Sequence, residues 1–323
     1  MNWKGICKMT LAGNHFFFGW EVSLMEWLQS VFSQGVIAGV SQLSALGEEI
    51  VMIAVMGFLY WCWDKEWGKY MGMNVLVAMT WNPMVKNIFL RYRPYMSNET
   101  VKILRPVNPD ADVMDVAAQG YSFPSGHSTC SASMYGSLAA YKKNKTLTVL
   151  ALLLPLLVGF SRVTVGAHYP TDVLVGWALG VAALFIVPWL QRKIKSRAVF
   201  YGVLLLTTIP GLFYCKSEDY FTCFGLLVGT MIALPLEEKY VRFENTRSPI
   251  RIILRLVGGA ALYFGLNTLL KLPFPKDFLA GNSVPALLVR AVRYMIIAVL
   301  LFAVYPMVFR YTAKIGKQSE VKA

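Results

Sequence analysis

An arginine, a histidine and an aspartate interrupt the apolar sequence between two long hydrophobic runs. Arg162 precedes His168 by six residues, and His168 precedes Asp172 by four, so one helical turn could bring the aspartate beneath the histidine. Ionisable groups at the edge of a membrane segment are costly and are candidates for function. Asp172 would hold one ring nitrogen of His168 so that the other acts as a nucleophile. Arg162 would supply a forked donor suited to phosphate oxygens.

Two further cations, Lys86 and Arg93, stand seven residues apart. That spacing is two helical turns, so both are predicted to share one face of a helix that Pro94 then ends. Two cations on one face repel each other unless an anion lies between them. The pair therefore predicts an anion site near the end of a membrane span.

The sequence Pro124-Ser125-Gly126-His127 stands at the start of another hydrophobic run. Gly126 lets the backbone approach a ligand closely. The free backbone N–H groups of a helix N-terminus, with the helix dipole behind them, form an anion site. We expect Ser125 and Gly126 to contact the anion and His127 to donate a proton to it.

Together these residues suit phosphoryl transfer. The cations Lys86, Arg93 and Arg162 would hold the non-bridging oxygens and stabilise the transition state. His168 would attack phosphorus and form a phosphohistidine, while His127 would protonate the leaving alkoxide and later activate water. The sequence has no acidic cluster typical of Mg²⁺ sites, so we predict neither a metal nor another cofactor, with the three cations in the metal's place.

At these residues the chain resembles the type 2 phosphatidic acid phosphatases, or lipid phosphate phosphatases, relatives of the vanadium haloperoxidases. The three signatures of that family occur in order: Lys-x6-Arg-Pro over 86–94, Pro-Ser-Gly-His over 124–127, and Ser-Arg-x5-His-x3-Asp over 161–172. The resemblance implies a helical membrane core, metal-independent hydrolysis of phosphate esters, His168 as nucleophile and His127 as acid. Longer members with extra C-terminal helices, such as sphingosine-phosphate phosphatases and glucose-6-phosphatases, are similar in layout.

The composition predicts a membrane protein. The 323 residues are 56% hydrophobic and 15% charged, with a mean hydropathy of +0.50. A soluble domain of this size could not bury so much apolar surface. The net charge of +13 would suggest nucleic acid in a soluble protein, but here cytoplasmic loops and an anionic phospholipid or substrate explain it better. We therefore predict the bilayer and a lipid phosphate as partners and no nucleic acid; protein partners are not predicted.

Hydrophobic runs of about 20 residues predict an all-α polytopic bundle of about nine transmembrane helices. The predicted spans lie near 45–63, 70–90, 126–141, 146–161, 172–190, 198–214, 220–236, 251–270 and 285–309. Three regions follow from this pattern. Residues 1–44 form an N-terminal segment whose stretch 21–40 suits an interfacial amphipathic helix. Residues 45–190 form the phosphatase core, centred on the spans around 70–190 and carrying all three motifs, and residues 191–323 add further transmembrane helices.

Basic residues orient these spans. They cluster at 142–145, 192–197 and 239–251, and in the tail with Arg310, Lys314 and Lys317. The positive-inside rule places these segments and the C-terminus in the cytoplasm, so the motifs face the periplasm or exterior. The motif flanks resemble bacterial members, which favours a bacterial inner membrane. No clean signal peptide is predicted in residues 1–20.

The substrate is left open by the sequence. A sphingoid-base phosphate or a phosphatidate-like monoester is favoured, because a site at the span ends lets a lipid enter sideways with its headgroup at that level. An isoprenoid diphosphate, a sugar phosphate and phosphotransfer on the same site are alternatives. A lipid or anion transporter would use the cations for binding only and would need neither a nucleophile nor an acid.

Other polar residues are interpreted more simply. Glu48 and Glu49 are predicted to be an interfacial acidic pair, with the alternatives that they gate a substrate or hold Arg91. Arg91 itself is predicted to belong to a solvated basic loop. Cys215 and Cys223 flank one short loop and could pair, but two free thiols are favoured because nothing fixes their geometry.

Overall fold

A computed structural model describes residues 13–312, and within that range the chain is helical and contains no strand. This confirms the predicted all-α class. Cys7, Lys314 and Lys317 lie outside the described residues. The helices are α1 (Gly19–Val31), α2 (Gln34–Gln42), α3 (Glu49–Gly57), α4 (Lys65–Phe89), α5 (Pro94–Ser97), α6 (Val116–Gln119), α7 (Gly126–Lys142), α8 (Lys145–Thr164), α9 (Pro170–Lys193), α10 (Arg197–Thr208), α11 (Gly211–Tyr214), α12 (Glu218–Leu236), α13 (Pro249–Leu269), α14 (Lys276–Ala280), α15 (Val284–Val299) and α16 (Phe309–Thr312). π-Helical turns extend α3 (Phe58–Trp63), α12 (Glu237–Val241) and α15 (Leu300–Val304).

Six helical runs among the described residues are long and apolar enough to cross a membrane. They are Lys145–Thr164, Pro170–Lys193, Arg197–Tyr214, Glu218–Val241, Pro249–Leu269 and Val284–Tyr311. A bent pair, Gln34–Gly47 and Glu49–Trp63, meets at 45° and makes a seventh candidate. The predicted count of nine is not confirmed, because α4 carries Asn74, Asn82 and Lys86 along its length and α7 has only 17 residues.

The helix α7 lies at the centre of the core, packed against α4, α8 and α9. Its serines, including Ser133 and Ser137, are fully buried and small enough for close helix packing. On the facing helix, a Cβ at Gly176 would lie 2.6 Å from the Ser125 carbonyl oxygen, and one at Gly180 would lie 2.7 Å from that of Thr129. Glycine is therefore needed at both positions for α9 to reach the motif at the start of α7.

The C-terminal helices continue the same body. Helix α12 packs along α15 on one side and along α4 on the other, and α13 contacts the π-helical end of α3 around Trp61. The helix that carries Lys86 therefore lies between the core helices α7 and α9 and the C-terminal helix α12.

The stretch predicted as one interfacial helix is two helices, α1 and α2. Met25 and Leu28 of α1 are buried against Val163 and other residues around the third motif. Trp27 points outward and is 56% exposed. Aromatic side chains of this kind suit a membrane–water boundary, and the interfacial placement of this segment stays a prediction.

The end of α4 differs from the prediction. Leu90 takes a left-handed backbone conformation with φ of 49° and ends the helix. Its carbonyl oxygen accepts a hydrogen bond from the Asn14 N–H at 2.8 Å, which holds the chain in a turn. The expectation that Lys86 and Arg93 share a helical face is therefore wrong, because Arg93 lies beyond the helix. Pro94 begins α5 rather than ending α4.

Candidate active site

A cavity of about 380 Å³ brings residues of all three motifs together. Lys86 and Arg93 come from the first motif, Gly126 and His127 from the second, and His168 from the third. Each motif lies at the end of a helix, so the turns after α4, before α7 and before α9 carry these groups to one place. Two histidines and two cations from the motifs thus face a common space, which is also lined by Arg290, Glu48, Glu49 and Asp219.

His168 lies in the turn between α8 and α9 and is 2% exposed. Its Nδ1 is 3.6 Å from Oδ2 of Asp172 and 3.4 Å from Oγ of Ser122, and the Ser122 hydroxyl donates a short hydrogen bond to Oδ2 of Asp172. Oδ2 also accepts from the Tyr169 N–H at 2.8 Å, which caps α9. Because Nδ1 faces this carboxylate and hydroxyl, Nε2 is the ring nitrogen left for a ligand. Ser122 was not found by sequence reasoning, although it lies two residues before Pro124.

The electrostatic surroundings of His168 favour the neutral form of its ring. Burial lowers the pKa of His168 well below its usual value, and the cations Arg93, Arg162 and Lys86 lower it further. A hydrogen bond with the Ser122 backbone raises the pKa, but it is the smallest of these contributions. A neutral imidazole retains the lone pair that a nucleophile requires.

The N-terminus of α7 presents Gly126 and His127 to the cavity, while Ser125 caps the helix. The Ser125 Oγ accepts from the Ser128 N–H at 3.3 Å, and the Ser125 N–H donates to the Asp172 carbonyl oxygen at 2.9 Å. The Ser125 side chain is fully buried and is not among the residues that line the cavity. Its side chain therefore shapes the helix start.

Lys86 and Arg93 are 8% and 3% exposed, respectively. The Arg93 guanidinium donates to the carbonyl oxygens of Gln119, Gly120 and Ala167 at 2.7–3.0 Å. Within residues 13–312, no carboxylate lies within ion-pairing distance of Lys86, Arg93 or Arg162. The ion pairs near the cavity are formed by other arginines, Arg91 and Arg105. These cations are buried without counter-ions from that part of the chain.

Arg162 lies behind the lining of the cavity and is 2% exposed. Its Nη1 donates to the Ser44 hydroxyl at 3.2 Å, and that hydroxyl is 2.7 Å from the Ser161 hydroxyl. The Nε of Arg162 has no hydrogen-bond partner among the described residues. A buried donor without a partner is costly and is expected to bind a ligand or water.

A second buried arginine, Arg91, belongs to a different cluster. It is 1% exposed and forms ion pairs of 2.7 Å with both Glu21 and Asp172. Its guanidinium stacks on the Tyr169 ring at 3.9 Å. Glu21 also accepts from the backbone N–H and the hydroxyl of Thr171, which ties α1 to the start of α9.

One prediction and one alternative for this region are wrong. Arg91 is not solvated, and neither Glu48 nor Glu49 holds it, because its carboxylate partners are Glu21 and Asp172. Glu48 instead pairs with Arg105 at 2.7 Å. Glu21 is one of two acids in its amphipathic segment, and no signal in the sequence separates it from Glu26.

The far wall of the cavity comes from the C-terminal helices. Asp219, Thr222, Cys223 and Leu226 of α12 line it, together with Tyr294 of α15. No role was predicted for these helices from the sequence. Their side chains complete the space that the three motifs face.

Two further findings concern ligands and thiols. Across the described residues, no three or more His, Cys, Asp or Glu side chains are arranged to hold a metal ion. Cys215 and Cys223 are free thiols, as are Cys62 and Cys130.

Two family profiles match the chain. The profile of the PAP2 superfamily matches residues 67–196. The profile of the PAP2 superfamily phosphatase, transmembrane extension, matches residues 221–317. The first range contains all three motifs, and the second contains most of α12 and the whole of α15, the helices of the far cavity wall.

Curated relatives are similar over part of the chain. Phosphatidylglycerophosphatase B of Bacillus subtilis is 28% identical over 178 residues, which cover 52% of this chain and 78% of the relative. An undecaprenyl-diphosphatase of Sulfolobus acidocaldarius is 29% identical over 43% of this chain and 62% of the relative. Another, from Bacillus subtilis, is 30% identical over 42% of this chain and 66% of the relative. The last two matches thus cover less than two thirds of the relatives' own length. No solved structure matches the chain significantly.

The matched profiles, the order of the motifs and their meeting at one cavity agree with each other. The chain belongs to the PAP2 superfamily, the type 2 phosphatidic acid phosphatases, and is an integral-membrane phosphatase.

Proposed function

We propose that this protein hydrolyses a phosphomonoester of a membrane lipid through a phosphohistidine on His168. The observation that carries the proposal is the pairing of two histidines with buried cations that have no carboxylate partner within residues 13–312. Such cations favour a bound phosphate, and the two histidines supply the nucleophile and acid that mere binding would not need.

In the first step, Nε2 of His168 attacks phosphorus and the bond to the ester oxygen breaks, while His127, which must enter the step protonated, gives its proton to the leaving alkoxide. Burial and the nearby cations lower the pKa of His127, so the negative charge of the bound phosphate is what favours this protonated form. In the second, His127 takes a proton from water, and the resulting hydroxide displaces His168 and releases inorganic phosphate. Asp172 and Ser122 hold the Nδ1 side of the ring and stabilise its positive charge.

The cations act on the phosphoryl oxygens. Lys86, Arg93 and Arg162 hold the non-bridging oxygens, and the backbone around Gly126 at the start of α7 adds N–H donors and the helix dipole. Ser125 contributes by fixing this helix start. Together these groups supply the positive charge that Mg²⁺ supplies in other phosphoryl-transfer sites, so we propose catalysis without a metal or cofactor.

The shape of the cavity favours a lipid. It extends along α4 from Lys86 past Met79 to Leu76, roughly 15 Å of helix. Met52 and Leu226 add apolar lining from α3 and α12. A hydrocarbon chain bound there would leave its phosphate beside the histidines, whereas a sugar phosphate would leave the apolar part empty.

Among lipids, we propose a phosphatidate-like or sphingoid-base monoester first. The similarity to phosphatidylglycerophosphatase B supports a glycerolipid monoester. An isoprenoid diphosphate is the second candidate, because two relatives are named undecaprenyl-diphosphatases.

We also propose that the site faces the periplasm of a bacterial inner membrane, with the C-terminus in the cytoplasm. The basic stretches 142–145, 192–197 and 239–251 support this orientation. They follow α7, α9 and α12, at the helix ends opposite the three motifs.

The test is phosphate release by purified protein from a lipid phosphomonoester, an isoprenoid diphosphate and glucose-6-phosphate, each with and without chelator. We expect turnover of the lipid monoester that chelator leaves unchanged and that His168→Ala abolishes. His15→Ala is the matched control, because the exposed His15 ring bonds Ser97 and does not line the cavity. Faster turnover of the sugar phosphate would contradict the lipid substrate. Loss of activity in chelator would contradict catalysis without a metal, and retained turnover in His168→Ala would contradict the assignment of the nucleophile.

A further inference from the structure

A second cavity, of about 340 Å³, lies at the other end of α12 from the candidate active site. The end of α12, the loop before α13, and the segment around α16 form it. Asp219 lines the first cavity and Tyr240 the second, and they are separated by roughly 30 Å along the continuous run Glu218–Val241. That length matches the hydrocarbon core of a bilayer, so the two cavities lie at opposite membrane boundaries.

The second cavity is strongly cationic. Among the described residues that line it, Glu244 is the one acid, against four arginines. The arginines are Arg242, Arg251, Arg255 and Arg310. The like charges of Arg242, Arg255 and Arg310, gathered in one cavity, repel each other and favour a bound anion. None of the three phosphatase motifs contributes to this cavity, so the proposed reaction leaves it unexplained.

Arg255 lies deepest and is 5% exposed. Its Nη1 donates to the carbonyl oxygens of Trp61 and Glu244, and its guanidinium stacks on the Phe309 ring at 4.1 Å. These contacts fix the guanidinium, but its Nε has no hydrogen-bond partner in the described part of the chain. No carboxylate there lies within ion-pairing distance of Arg255 either, so a buried charge and a buried donor both lack a counterpart.

The rim of the cavity combines charge with apolar surface. Arg242 and Arg310 are exposed, and each donates to a neutral oxygen. Arg242 donates to the Glu238 carbonyl at 3.1 Å, and Arg310 donates to the Tyr311 hydroxyl at 2.8 Å. Met307 also lines the cavity and is 43% exposed. A ligand with an anionic head and a hydrocarbon body matches this combination better than a free inorganic anion does.

We propose that this cavity binds the phosphate headgroup of an anionic phospholipid, with Arg255 at its base and Arg242 and Arg310 at its rim. A basic pocket between helices at a membrane boundary has the chemistry that recognises such lipids. Charge-assisted hydrogen bonds from guanidinium to phosphate would satisfy the Arg255 Nε. Arg255 belongs to α13 and also donates to the Trp61 carbonyl at the end of α3. A lipid bound to Arg255 would therefore stabilise the packing of α13 against α3.

The experiment measures the melting temperature of the delipidated full chain in nonionic detergent. The probes are phosphatidylglycerol, zwitterionic phosphatidylcholine and inorganic phosphate; the first is a diester and offers no phosphomonoester to the catalytic cavity. We expect phosphatidylglycerol to raise the melting temperature and phosphatidylcholine not to. Equal stabilisation by both lipids would overturn the proposal.

The variants locate the effect. Arg242→Gln with Arg310→Gln is expected to weaken the apparent affinity for phosphatidylglycerol about fivefold per arginine. Arg247→Gln is the matched control, because this arginine lies in the same loop but stacks on Trp63 at 3.6 Å and does not line the cavity. Equal weakening by Arg247→Gln would refute this site. Inorganic phosphate is the last comparison. If it raises the melting temperature of the unchanged protein but not that of the double variant, the cavity is a site for free phosphate and the lipid assignment is overturned.

Discussion

Arg91 and Arg93 are two residues apart and almost fully buried, but their surroundings differ in kind. Arg91 is held between the carboxylates of Glu21 and Asp172 and is covered by an aromatic ring. Among the described residues, Arg93 bonds only carbonyl oxygens, and it faces the same cavity as Lys86. One arginine is neutralised by the protein, and the other is not.

This difference separates a structural charge from a ligand-binding one. Removing one partner of a buried ion pair leaves an uncompensated charge, so such a cluster is expected to matter chiefly for stability. Cations gathered without counter-ions already repel each other, and an arriving phosphate relieves that repulsion. The predictions below test whether stability and activity divide along this line.

The largest effect on stability is expected for Arg91→Gln. The change leaves the Glu21 and Asp172 carboxylates close together and buried, which should destabilise the fold by about 3–5 kcal/mol. The measurement is a thermal melt in detergent. Glu21→Gln is the graded control, because Arg91 then keeps Asp172 as a partner and the loss should be smaller. A melting temperature for Arg91→Gln equal to that of the unchanged protein would contradict the structural role.

The largest effect on activity in this comparison is expected for Lys86→Met. The loss of one cation from the phosphate site should lower kcat/KM about 10²–10³-fold, as for other groups that stabilise transition-state charge. The melting temperature should not fall, because an apolar side chain of similar length replaces a buried charge that has no ion pair among the described residues. Lys142→Met is the control, since Lys142 pairs with Asp64 away from the cavity. If Lys86→Met loses stability but keeps its activity, Lys86 is a structural charge and not a ligand-binding one.

A smaller effect is expected on the titration of His168. Because burial and the nearby cations lower its pKa, the ring should still be neutral at pH about 6.5, where an ordinary histidine is half protonated. The chain has three histidines, so ¹⁵N-histidine NMR can follow each one after assignment with His15→Gln and His127→Gln. Lys86→Met removes one repelling cation and should raise the midpoint of His168. A midpoint at or above 6.5 in the unchanged protein would contradict this electrostatic account.

The sequence predicted the all-α class because its apolar runs are long. It also pointed to those cavity-lining residues that belong to the three motifs, because the motifs have fixed spacing. It failed for the relation between Lys86 and Arg93, because the left-handed conformation of Leu90 has no reliable signal in a leucine. It also failed for Glu21, whose partner Arg91 lies 70 residues away in the chain. Contacts of this kind depend on how helices pack, which local spacing does not determine.

The C-terminal helices show the same limit. Thr222 and Leu226 occupy ordinary positions in an apolar run, and only the packing of α12 against α4 and α15 brings them to the cavity. The cluster around Arg255 resembled ordinary cytoplasmic basic residues in the sequence. Its burial and unpartnered Nε depend on the contacts with Trp61 and Phe309.

The central claim is that His168 accepts the phosphoryl group. The most direct measurement is rapid acid-free quenching of the reaction with an aryl phosphate, followed by mass spectrometry of the peptide that contains residue 168. His127→Gln should accumulate the intermediate, because an aryl leaving group needs little protonation while hydrolysis of the phosphohistidine still needs the base. We predict an acid-labile phosphate on His168 and none in His168→Ala. Turnover with no label on His168, or a label that persists in His168→Ala, would contradict the mechanism.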